Sequence, residues 1–334
     1  MKPLARWGIL LVVLTAFAAC SSAGTQSTVL PLQRPQGATQ ATSASRVMHV
    51  TTDDVRAARS VRNFHYHIFP VSSQWGKPVT KPAATKVFHP ADLQYFGGSI
   101  MTSAVEHNIY VNCKTGDEKC WGKPEEFFQN LAGSKLVQLL GQYTKASTNN
   151  YTFGEGTPIA YTAYSKIYYN NDLFSILHSV AKAVGGNGYT NEYHIFLPKG
   201  VDNCFDGTTV CYSPNNPSTW YFCAYHGEVT FSDLGVVVFS VEPYQNVRGC
   251  TYQLPKGYDP LINSTDSTLA HETFESITDP NPNTFKTLGW YNIPYNQEIA
   301  DLCDAFPMKQ TIGTLKLYLQ TMYSNKYHGC ANGP

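Results

Sequence analysis

The sequence predicts an α/β fold: a mixed sheet covered by helices, in a single domain stapled by disulfides. Three observations lead there. Short β-rich runs alternate with helical runs along residues 60–334, the pattern of a sheet with helices packed on it. Eight cysteines follow a leader-like N-terminus, an even number that suits a disulfide framework. One helical stretch, Leu269 to Pro280, sets His and Glu side chains beside an apolar face.

Taken in order, Met1 to Cys20 carries Lys2 and Arg6 and then an apolar run from Trp7 through Ala19. That is the charged and hydrophobic layout of a secretory signal, too short to span a membrane. Phe17-Ala18-Ala19-Cys20 resembles a bacterial lipobox, which would lipidate Cys20 and tether the product to a membrane. Cleavage near Ala19 or Ala23 would instead release it. Residues 21–59 are rich in Ser, Thr, Ala, Gln and Gly and poor in large apolar residues, and are read as a disordered linker.

Within residues 60–334, Phe64 to Phe69 alternates like a strand and stops at Pro70. Glu106 to Cys113 reads as a second strand through Ile109, Tyr110 and Val111. Glu125 to Tyr143 has apolar residues at helical spacing, as does Asn171 to Val184, which Gly185-Gly186 stops. Glu192 to Leu197 is strand-like. A Cys- and Pro-rich loop follows, and the apolar run Leu234 to Val241 suits a buried central strand. Gln310 to Tyr327 is read as a last helix. The cysteines after Cys20 are Cys113, Cys120, Cys204, Cys211, Cys223, Cys250, Cys303 and Cys330. Cys113 with Cys120, and Cys204 with Cys211, would close small loops.

The stretch Leu269-Ala270-His271-Glu272-Thr273-Phe274-Glu275-Ser276-Ile277-Thr278-Asp279-Pro280 carries the chemistry. His271 and Glu275 are four apart and share a helix face, while Ala270, Phe274 and Ile277 form the anchoring stripe. Glu272 lies about 100° further round, within reach of a metal's open position. This is the logic of the H-E-x-x-H zincin helix with a carboxylate for the second imidazole. Pro280 ends the helix at Asp279, and Asn263, Ser264, Thr265 and Asp266 are candidate N-caps. A surface helix carrying the same residues merely solvated is the competing reading.

Three stretches are similar to the secreted EXORDIUM-like, phosphate-induced proteins and their microbial relatives. They are Tyr95-Phe96-Gly97-Gly98, Cys223-Ala224-Tyr225-His226-Gly227, and His271-Glu272-x-x-Glu275-x-x-Thr278-Asp279-Pro280 followed by Gly289-Trp290-Tyr291 and Glu298-Ile299-Ala300-Asp301-Leu302-Cys303. Phe96 and Ala224 depart from the pattern, where His and Gly are expected. The resemblance implies an exported, zinc-peptidase-like domain; a growth-related plant role does not transfer.

A catalytic zinc takes three protein ligands and leaves one position open. By analogy with zinc peptidases whose later Glu completes the site, Glu298 would be the third ligand and Asp301 would orient His271, or the two would exchange roles. His226 is the rival ligand and a candidate oxyanion-stabilising group; Asp279 is a weaker contender. Glu272 would take a proton from the attacking water and hand it to the leaving amine. Zinc is expected because His271 leads the motif, and the oxygen-rich set also suits Ca²⁺ or Mn²⁺. His65 and His67 face one side of their strand, as a metal pair or as a partly buried sheet face, with the sheet face preferred. His107, His178, His194 and His328 receive no role.

Charge excludes some classes. Lys+Arg 24 balances Asp+Glu 24, so no basic field is present to hold a nucleic-acid backbone. Gly-x-Ser-x-Gly and phosphate-cradling glycine loops are absent from the sequence. Two functions remain: a secreted or cell-surface metal-dependent hydrolase acting on extracellular protein or peptide, and a non-catalytic binding protein, for peptide or glycan, with a structural metal.

Overall fold

Seven strands build the central sheet: β1 (Met48–His49), β2 (Phe64–Pro70), β3 (Ala104–Val111), β4 (Tyr151–Ala160), β5 (Gly188–Phe196), β6 (Phe222–Phe231) and β7 (Gly235–Glu242). Their order is β1-β4-β3-β5-β7-β6-β2. The first five in that order are parallel, and β6 runs against both of its neighbours. These strands belong to a computed structural model that describes residues 47–62, 64–71, 92–205, 207–283 and 286–334. All of them fall in one compact unit, Ala44–Pro334. The leader, the lipobox Cys20 and most of the expected linker lie outside the described residues.

Helices cover both faces, as a largely parallel sheet requires. On one side α1 (Thr52–Ser60) and α3 (Asn170–Val184) pack Ala58, Leu173, Phe174 and Leu177 against Ile109, Ile195 and Phe239 of the strands. On the other, α2 (Pro124–Leu131) and α4 (Pro260–Thr278) pack Phe128, Leu269, Ala270 and Phe274 against Phe196 and Val238. Each such buried side chain contributes about 2 kcal/mol of hydrophobic stabilisation.

Several expectations need correction. The linker gives way before residue 59: Thr51 and Asp54 form a capping box that starts α1, and Ala58 is buried against the sheet layer. The helix expected over Glu125–Tyr143 is three short pieces, 124–131, 135–138 and 141–144. Gly133 (φ +71°) breaks the first, and the Ser134 hydroxyl caps the next. The last helix is a β-hairpin, Pro307–Ile312 paired with Leu315–Gln320 around Gly313 (φ +57°). Leu315, Leu317 and Leu319 point inward and Lys316 outward, a period of two rather than 3.6. The supposed Cys- and Pro-rich loop contains β6.

Other expectations stand. Gly185 stops α3 in the left-handed conformation, and β3, β5 and β7 lie where the apolar runs placed them. Cys113–Cys120 and Cys204–Cys211 are both bonded, and the remaining four cysteines form Cys223–Cys250 and Cys303–Cys330. Four disulfides are consistent with an extracytoplasmic protein. Among the described residues no helix is long and apolar enough to cross a membrane.

Candidate metal centre

Helix α4 begins earlier than its sequence suggested. Asp259 caps it, accepting from the backbone N–H groups of Leu261 (2.8 Å) and Ile262 (3.0 Å), with Pro260 in the first turn. The candidate caps Asn263 to Asp266 are therefore inside the helix. Every residue from Asn263 to Thr278 is buried, polar ones included. The sheet covers one side and the 307–320 hairpin another. Asn263 accepts from the Tyr318 N–H at 2.6 Å, and the Ser267 hydroxyl accepts from the Gln320 N–H at 3.1 Å.

One turn apart, His271 Nε2 and Glu275 Oε1 approach to 3.1 Å, as the i, i+4 spacing requires. The helix stops at Asp279, whose carboxylate accepts from the Gly289 N–H at 3.0 Å. Gly289 must be glycine, because a Cβ there would sit 2.2 Å from the Thr278 carbonyl oxygen.

Three other segments bring side chains to this end of α4. Glu298 and Asp301 come from a turn that Asp301 ties together by accepting from the Glu298 N–H (3.2 Å). They share no helix face: Asp301 opens a single 3₁₀ turn, anchored by Cys303–Cys330. Asp301 donates its own N–H to Glu275 Oε1 at 3.1 Å. His226 on β6 and His67 on β2 are cross-strand partners. The His67 ring lies between Glu298 (Nδ1–Oε2 3.1 Å) and Asp301 (Nε2–Oδ2 2.8 Å). His226 Nδ1 is 3.2 Å from Glu272 and 3.6 Å from Glu275, and its Nε2 is 3.8 Å from Glu298. Such closeness needs Gly227, where a Cβ would lie 1.8 Å from the His65 carbonyl oxygen of the adjoining strand.

Two sets of donors thus have ligand atoms within 4.8 Å of one another: His67, Glu275 and Asp301, and His226, Glu275 and Glu298. Glu275 is common to both. His271 joins them through Nε2, 3.6 Å from Asp301 Oδ1, while its Nδ1 lies 3.1 Å from the Gln320 side-chain oxygen. A proton on Nδ1 satisfies Gln320 and turns the Nε2 lone pair toward the carboxylates, the arrangement of an oriented metal ligand.

Charge in this space does not balance within the protein. Five carboxyls, Glu272, Glu275, Asp279, Glu298 and Asp301, meet three imidazoles, and the carboxyls are all buried. One oxygen each of Glu272, Glu275, Asp279 and Glu298 lacks a hydrogen-bond partner. Burial first, then neighbouring carboxylates, push Glu272 and Glu298 well above the usual carboxyl range. Burial likewise raises Asp279 to about 7. Burial would lower His67, but the Asp301 charge outweighs it and raises the pKa to about 9. His271 is raised as well, the Glu275 carboxylate overcoming burial, whereas burial and the nearby His67 hold His226 far below the usual range. Unpaired buried carboxylates are costly, and a divalent cation is what such a donor set fits.

A cleft of about 400 Å³ opens onto the centre, lined by Tyr66, His67, Asn283, Tyr291 and Ile293 among others. Only His67 of the cluster lines it, with 17% of its side chain exposed. The six residues singled out in the sequence, His226, His271, Glu272, Glu275, Glu298 and Asp301, converge here. Glu272 lies on the sheet side and does not line the cleft. His67, preferred above as a partly buried sheet residue, belongs to the cluster; the His-x-His spacing on a strand was its signal, and only the partner strand β6 decides its role. Asp279 and Gln320 were weak or absent in that reading. In comparisons with known proteins, the chain matches no family model, no curated protein and no solved structure.

Proposed function

We propose that this protein is an exported metal-dependent hydrolase of zinc-peptidase type, related to the EXORDIUM-like secreted proteins. One observation carries the reading: imidazoles and carboxylates from four separate segments converge, with unpartnered buried atoms, beneath a cleft. His226, His271, Glu275, Glu298 and Asp301 would hold the cation, zinc by preference with Ca²⁺ or Mn²⁺ as alternatives. The ion supplies Lewis acidity to the scissile carbonyl. Glu272 takes or holds a proton at Oε1, the oxygen without a hydrogen bond, while Oε2 steadies His226. His67 stands between the centre and the cleft, where Tyr66, Tyr291 and Asn283 suit a peptide or glycan of an extracellular partner.

The burial of Glu272 and Glu298 favours a second reading, a non-catalytic binding protein in which the ion is a structural clamp. Zinc content and peptide cleavage, measured on the native protein and on Glu272→Gln, separate the two. Hydrolysis predicts retained metal with cleavage reduced by about 10²-fold or more. A structural clamp predicts metal in both proteins and cleavage by neither.

A further inference from the structure

A second buried cluster lies on the α4-facing side of the sheet, outside the centre described above. It is built from Glu106 on β3, Glu192 and His194 on β5, and Ser240 and Glu242 on β7, none more than 1% exposed. Strand register brings it together: Glu106 is opposite Glu192, and His194 is opposite Ser240. The same register continues from Ser240 to His226, so one row of the sheet joins the two clusters.

Hydrogen bonds leave this cluster short of positive charge. The Ser240 hydroxyl donates to Glu242 at 2.9 Å, so at His194 Nδ1 (2.8 Å) it can only accept. With its proton on Nδ1, a neutral His194 turns the Nε2 lone pair toward Glu106 Oε2, 3.0 Å away. Glu192 is fully buried with only the Ser276 hydroxyl and the Glu106 carboxyl beside its own carboxyl, and Glu106 Oε1 and Glu242 Oε2 lack a hydrogen-bond partner. Among the described residues no lysine or arginine pairs with any of them. The donor atoms of Glu106, Glu192 and His194 lie within 4.8 Å of one another, a spacing that one ion can bridge.

We propose that Glu106, Glu192 and His194 form a second divalent-cation site, with Glu242 and Ser240 holding His194 in its ligating orientation. Two carboxylates and one imidazole suit Mn²⁺ or Zn²⁺. Its members are no more than 1% exposed, so the ion is structural: it ties β3 to β5 beneath α4 and leaves the first centre free to exchange.

The test is metal stoichiometry on the full chain loaded with Zn²⁺ or Mn²⁺ and desalted. Native protein is expected to keep two equivalents, Glu192→Gln one, and Glu298→Gln one. The ion that remains in Glu298→Gln should resist brief chelation that empties the open centre. Anomalous diffraction from native crystals gives the same count without any variant, and so covers the case in which Glu192→Gln fails to fold. One native equivalent, kept by Glu192→Gln and lost from Glu298→Gln, overturns the second site and leaves the first. One equivalent lost from Glu192→Gln alone upholds the second site and sinks the first. No bound metal removes both, and the carboxyls are then held protonated.

Discussion

Replacing Glu275 with glutamine keeps the shape of the centre and removes one charge from both donor sets, so its effect on stability should change sign with the metal. Without metal, Glu275 shares the site with Glu298 and Asp301, donor atoms lying within 4.8 Å. Two like charges at that distance repel by about 3.5 kcal/mol at an effective dielectric near 20. Proton uptake by Glu298, already pushed well above the usual range by burial and then by Glu275, relieves part of this. The stripped Glu275→Gln protein should therefore be more stable than stripped native protein, by about 1–2 kcal/mol. With metal the order reverses. Ligand at 1,000 times its dissociation constant stabilises the native fold by about 4 kcal/mol. Losing a carboxylate ligand, at roughly 100-fold in affinity, forfeits about 2.7 kcal/mol of that. Calorimetric melting of both proteins, with Zn²⁺ and after EDTA, reads the crossing directly, at roughly 2–4 °C per kcal/mol for a chain of this size. If EDTA leaves the native Tm unchanged, the centre is not a metal site; if Glu275→Gln melts lower under both conditions, the attraction of Glu275 to His271 and the Asp301 N–H outweighs the carboxylate repulsion and the charge argument fails.

Gly227→Ala should lower stability by about 3 kcal/mol or more and abolish metal binding, since the added Cβ meets the His65 carbonyl at 1.8 Å and forces β2, with His67, away from His226; denaturant melts and metal analysis check both. In stripped protein, the raised His67 pKa contributes stability that is complete below 6.5 and is lost as pH rises to about 9. The raised Asp279 pKa acts with the same sign at lower pH, removing stability as pH climbs from 3.8 to about 7. Tm should thus fall from pH 4 to pH 9 without metal, and His67→Gln should flatten the upper half of the curve. Replacing both Cys303 and Cys330 with serine opens a loop of sequence separation 27, for a loss of about 3–4 kcal/mol. It should also weaken metal binding by loosening the turn that carries Asp301; calorimetric titration with Zn²⁺ checks this.

Much of the centre was legible in the sequence because its chemistry sits in short local spacings. His271 and Glu275 needed only the pitch of a helix, and Pro280 fixed where it ends. What escaped was chemistry set by partners distant in sequence. Strand β6 carries His226 but is buried on both faces over nearly its whole length, so it shows no alternation to mark it as a strand. Strand β4 contains Gly154, Gly156 and Pro158, residues that depress strand preference, and it is held by its neighbours instead. The sequence offers Asn263 as an N-cap, whereas it lies inside α4, where the 307–320 hairpin pairs its backbone with Asn263 and Ser267. Within the expected helix Gln310 to Tyr327, Leu315, Leu317 and Leu319 stand two apart, the spacing of the strand that forms there. Glu106, Glu192 and His194 lie scattered along the chain, and only strand register assembles them.

The enclosure of α4 has a consequence for how the protein is made. A nascent chain emerging residue by residue presents His271, Glu272 and Glu275 before the Glu298–Asp301 turn, the hairpin or Cys330 exists. Until those later segments arrive, the helix lacks both its second set of acidic donors and its outer cover. An ion captured at that stage would be held by a partial cage in open water and easily lost. For the proposed metal centre, loading would be tied to completion of the fold, and the Cys303–Cys330 disulfide that anchors the Asp301 turn would help to retain the ion.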